Sequence, residues 1–149
     1  MILSKINSFR QLLFWWLIVV ATMHVLGGIA LAFEFPEAVW QVYRQDLYLV
    51  FSVSNEISDQ VDTMISMILR LFGPTVASWG CLMIYLLHRI FSHNDRAALV
   101  FLSAATILWF LLDTTISLTF GVTSHLYINS AAFIAIILPL AVLRFKDGY

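Results

Sequence analysis

The stretch Trp109-Phe-Leu-Leu-Asp113-Thr-Thr-Ile-Ser117 decides how this chain is read. It lies in an apolar run, 97–120, long enough to cross the ~30 Å hydrocarbon layer of a bilayer as a helix. Asp113 is the only charged residue of that run. A carboxylate near the centre of a spanning helix costs ~2.5–3.5 kcal/mol on insertion scales, so it demands a partner or a task. The partner expected from the sequence is Arg70, at the outer end of another apolar segment.

Composition agrees with a membrane setting. Of 149 residues, 61% are hydrophobic and 11% charged, and the mean hydropathy is +0.90. Soluble domains carry about 25% charged residues. The net charge of −1 leaves no basic face for nucleic acid. A single cysteine, Cys81, excludes an intrachain disulfide and is read as a small packing residue.

Working outward from Asp113, the chain divides into four spans, expected at 12–33, 63–91, 97–120 and 126–143. The first apolar run is longer than the ~7–15 residues of a signal-peptide core, so it is read as a retained span. Gly73-Pro74 should bend the second span. Between the first two spans, 34–62 form the one long connection. There Pro36, Trp40, Tyr43, Leu47 and Val50 recur at steps of three and four, opposite Glu37, Gln41, Arg44 and Gln45. That pattern predicts an amphipathic outer interfacial helix with Pro in its first turn. It holds a single Arg, so it should pack over the bundle rather than seek anionic lipid, with Trp40, Tyr43 and Leu47 as its docking residues.

Topology follows from the basic residues. Lys5 and Arg10, Arg89 and Arg96, and Arg144 and Lys146 fall on one side of a four-span chain. The first connection has Arg44 against six acids. Both termini are therefore expected in the cytoplasm, as for an integral protein of a bacterial cytoplasmic (inner) membrane.

Each span carries small or polar residues spaced as one face of a left-handed bundle. They are Ala21, His24 and Gly28 in the first, and Arg70, Gly73, Ala77 and Gly80 in the second. The third has Ser103, Thr106, Phe110, Asp113 and Ser117, and the fourth Asn129, Ala132, Ile136 and Pro139. Small residues and interhelical hydrogen bonds hold helices together where lipid offers no hydrophobic drive. Counted from the outer boundaries, Arg70 and Asp113 lie at one depth, with Asn129 shallower and His24 deeper. The outer half should thus gather His24, Arg70, Asp113, Ser117 and Asn129, as a structural network or as a ligand or ion site, and the inner half should be nearly free of ionisable groups.

No metal-ligand pattern, phosphate loop, nucleophile elbow or cysteine pair is present, so no catalytic residue, metal or cofactor is expected. In size and layout the chain resembles small four-span families such as the DoxX-like proteins, a likeness of layout that implies no residue roles. The expected function is that of a non-enzymatic accessory or interaction subunit, bound to the bilayer and to another membrane protein or to copies of itself. Two alternatives stand beside it: an outward-facing ion or small-solute binding or transport unit using Asp113 and Arg70, and a haem-carrying anchor of a redox enzyme using His24.

Overall fold

A computed structural model describes residues 2–51 and 59–146, without an account of the side chains at 2–7, 37–40, 42, 43, 51, 145 and 146. Those residues form five helices and no strand: α1 (Ile2–Phe33), α2 (Glu37–Phe51), α3 (Asp59–His93), α4 (Arg96–Phe120) and α5 (Thr123–Lys146). All but α2 are long and apolar enough to cross a membrane.

Local chemistry sets the ends of these helices. Glu34 adopts a left-handed φ of 52°, and the Phe35 N–H returns 2.9 Å to the Ala30 carbonyl, closing α1 with a Schellman turn. Asp95 caps α4 by accepting from the Ala98 N–H at 3.1 Å, and Arg89 holds the same carboxylate at 2.6 Å. Gly121, at φ 71°, ends α4, and the Val122 N–H donates to the Ser117 carbonyl at 2.9 Å. Gly takes this conformation without the Cβ penalty that other residues bear.

The helices pack in the order α1, α3, α4, α5 around the bundle, with α5 closing against α1. The tightest contact joins α1 to α3. A Cβ built on Gly28 would lie 2.3 Å from the Ala77 nitrogen, and one on Gly73 would lie 2.5 Å from the Gly28 carbonyl oxygen. Gly80 approaches the Ala21 carbonyl in the same way, at 2.8 Å. Backbone meets backbone here, which only small residues permit. α3 runs unbroken through Gly73-Pro74, which sit in the middle of a 35-residue helix.

Two clusters fill the interior. The larger unites Leu17, Met83, Leu87, Leu102, Ile136 and Leu140, from the middle of the bundle toward the end where α1 begins and α5 stops. The smaller, at the α2 end, is Leu31, Ile65 and Leu69 with Leu47 and Tyr48 of α2 packed on it.

Candidate functional site

The polar interior lies at the α2 end and is built by the α4–α5 hairpin. Antiparallel helices joined by a tight turn bring residues equidistant from the turn to one level. Asp113 and Asn129 lie eight positions either side of Gly121, and Ser117 and His125 lie four either side. The structure joins this set. His125 Nε2 is 2.8 Å from Asp113 Oδ2, and the Asn129 amide donates to the same oxygen. Ser117 turns its hydroxyl back onto the Asp113 carbonyl at 2.8 Å. Ser117 and Asn129 are buried, while the Asp113 and His125 side chains keep 25% and 22% exposure.

That exposure opens on a pocket of about 160 Å³ lined by Leu47, Asp113, Ile116, Ser117, Phe120, Val122 and His125. Leu47 belongs to α2, which lies over the pocket and is tied down on two sides. On one side Asp46 accepts from the Ser124 N–H at 2.8 Å and from the Thr123 hydroxyl at 3.5 Å. The residue before α5 is Val122, which has no capping oxygen, so a carboxylate from α2 satisfies that helix start. Hydrogen bonding to Ser124 holds the Asp46 carboxyl below its ordinary range, against the opposing effect of burial. On the other side Tyr48 donates to Asp62 of α3, and Arg44 reaches Ser66 at 3.4 Å and Asp62 at 3.9 Å. Burial, and then the Asp62 carboxylate, push the Tyr48 hydroxyl above its ordinary pKa.

The expected Asp113–Arg70 pair does not form. Arg70 bonds Glu34 at 3.1 Å, and its side chain is 57% exposed. Its position on α3 points away from the interior lined by Leu69 and Gly73, and counted from the α3–α4 turn it lies further out, 24 positions before Asn94 against 19 after it for Asp113. Burial works against the charge of Glu34. Arg70, Ser66 and Arg44 outweigh it and hold this carboxyl below its usual value. His24 is partly buried and donates through Nδ1 to its own helix at the Val20 carbonyl, 2.8 Å away, apart from the Asp113 cluster. Asn129 is deeper than its expected span start implied, because α5 begins at Thr123 rather than at 126. Leu47 docks inward as expected, whereas the side chains of Trp40 and Tyr43 lie outside the described residues. His125 joins the cluster from outside the small-residue spacing that picks out the other members. The symmetric spacing about Gly121 is the signal that finds it.

A second feature lies on the outside of the bundle. At 3.6 residues per turn, Met67, Arg70, Pro74, Ser78, Cys81, Tyr85 and His88 form one line along α3. All seven are exposed. Met67 and Pro74 are the only aliphatic side chains among them. The outward face of α1 reads differently, with Leu12, Trp15, Val19, Met23, Leu26, Ile29 and Phe33 all exposed.

No family model matches the chain, and no curated protein or solved structure does so significantly.

Proposed function

We propose that this chain is a small multi-pass membrane protein that assembles with another membrane protein, using the outward line of α3 as its contact surface. One observation carries the reading. A helix of spanning length and apolarity presents Arg70, Pro74, Ser78, Cys81 and Tyr85 where lipid tails would otherwise lie. Arg70 is already bonded to Glu34, but hydrocarbon offers the Ser78 and Tyr85 hydroxyls no hydrogen-bond partner, whereas a neighbouring helix with polar or small residues does. Pro74 adds to this, since it has no N–H to give the Arg70 carbonyl on the same side of the helix. The filled core at the opposite end supports an assembly role over conduction: Leu17, Met83, Leu87, Leu102, Ile136 and Leu140 leave no polar passage there among the described residues. In this reading α2 lies at the outer interface and the chain termini are cytoplasmic, as the distribution of Lys and Arg favours.

The test is photo-crosslinking in native membranes from position 78 or 85, with position 19 or 26 on α1 as the control. The expected result is a discrete adduct with a different protein from α3 and none from α1. Adducts confined to a second copy of this chain, or equal labelling from both helices, would overturn the reading.

A further inference from the structure

The pocket beneath α2 has a feature that the interior network does not use. Both donors that reach the Asp113 carboxylate, from His125 and Asn129, converge on Oδ2. The other oxygen, Oδ1, accepts from none of the described residues, and a quarter of the side chain remains accessible. An ionised carboxylate has about four lone-pair sites and gains most from charged donors. No Lys or Arg lines the pocket, and Asp46 adds a second acid just above it, on the α5 start.

The walls limit what can enter. Leu47, Ile116, Phe120 and Val122 are apolar, and Ser117 has its hydroxyl proton committed to the Asp113 carbonyl. A hard metal cation needs about six or more oxygens. No group of three metal-ligating side chains exists among the described residues. One open carboxylate oxygen among apolar walls instead suits a cation that carries N–H donors and a short carbon chain. About 160 Å³ accommodates an ammonium head with a few methylenes.

We propose that the pocket beneath α2 is a binding site for a small organic primary ammonium, held by charge-assisted hydrogen bonds to Asp113 Oδ1 and packed against Leu47, Ile116 and Phe120. The shared chemistry has two sources, a free alkylamine or the ethanolamine headgroup of a lipid. In both cases the apolar walls take the carbon atoms and Asp113 takes the charge.

The test uses the full chain in nanodiscs of phosphatidylcholine or of phosphatidylethanolamine, with hexylammonium as the soluble probe and thermal unfolding as the readout. Hexylammonium should raise the unfolding midpoint in phosphatidylcholine discs, and a hexyl-trimethylammonium probe, which has no N–H, should not. Asp113→Asn, which keeps the shape and removes the charge, should weaken the response about tenfold or more. Leu47→Trp fills the pocket mouth without touching the Asp113 network and should abolish the response, which keeps the test decisive even where Asp113→Asn misfolds. Protein in phosphatidylethanolamine discs that is already stabilised and indifferent to added hexylammonium assigns the site to the lipid headgroup. An additive response in both discs assigns it to a free amine. Equal stabilisation by the primary and quaternary probes, or a response unchanged by Leu47→Trp, would overturn the proposal. None of these outcomes depends on the α3 surface, so this inference and the assembly reading stand or fall separately.

Discussion

The helices α1 and α3 solve one problem alike and another differently. On their inward sides both use small residues: Gly28 and Ala32 of α1 lie against Gly73 and Ala77 of α3 at backbone contact. On their outward sides α1 shows Leu, Ile, Val, Met, Phe and Trp, while α3 sets Arg70, Pro74, Ser78, Cys81 and Tyr85 in a line among exposed apolar residues such as Ile68, Leu71, Phe72 and Leu82. The inward likeness is explained by packing within the fold. Among the described residues no hydrogen bond or ion pair holds Ser78 or Cys81, while Arg70 bonds Glu34 and Tyr85 acts on Arg89. A difference that internal contacts explain only in part directs attention to what lies outside the chain, and this is why the outward face of α3 carries the functional reading.

The largest effect should come from the inward side. Gly28→Leu places atoms where the Ala77 backbone already lies, and a backbone cannot turn aside as a side chain does. We expect a loss of about 3 kcal/mol or more, or failure to fold, by reversible unfolding in detergent. Gly27→Leu, one residue away and facing open space, should be nearly neutral. Equal damage from both would mean that α1 tolerates no added bulk anywhere and that the close contact is not special.

On the outward side the expectation reverses between the helices. Ser78→Trp should leave the unfolding midpoint unchanged and remove the partner from the purified complex, as read by native mass. Leu26→Trp on α1 should change neither quantity. Loss of the partner with both variants would erase the contrast between the faces.

Smaller effects belong to the ties at the α2 end. Arg70→Ala removes the Glu34 partner, and for a pair this exposed the stability cost should fall within about 1 kcal/mol. The same variant should weaken assembly more than it weakens folding, because Arg70 stands on the α3 line. Asp46→Asn should loosen α2 from α5 at neutral pH, seen as faster amide exchange over 44–51 with the core unchanged. Acid should do the same in the wild type. The Asp46 carboxyl is held below its ordinary value in the folded protein, so its stabilisation is full above the ordinary range near ~3.9 and is lost as pH falls through the folded value. Exchange over 44–51 that is insensitive to both changes would show that α2 is held without Asp46, by Leu47 and Tyr48 packing and the ties of Arg44 and Tyr48 to α3.

Much of this architecture is legible in the residues. Four apolar runs and the acid-rich connection with its three-and-four periodicity foretell five helices, and Gly28, Gly73 and Gly80 announce the close contact through their small size. Neither depth nor direction is legible for Arg70: it lies 24 positions before Asn94 whereas Asp113 lies 19 after it, and it faces outward because Gly73 and Gly80 on the other side of α3 pack on α1. The Asp113–His125–Asn129 cluster follows from symmetric spacing about Gly121 once α5 is known to start at Thr123. That start is hard to read since Val122 is no cap, and the capping carboxylate, Asp46, comes from a distant helix.

The most direct measurement of the central claim is the lipid accessibility of α3 in its native membrane. A spin label on Cys81 and one on a cysteine introduced at Val19 in a Cys81→Ser background are compared for collision with dissolved oxygen, before and after purification. Position 19 should meet oxygen freely in both states, while position 81 should be shielded in the membrane and become accessible once the protein is purified away from its partner. Free collision at position 81 in the native membrane, equal to that at position 19, would mean that α3 faces lipid and that no partner covers it.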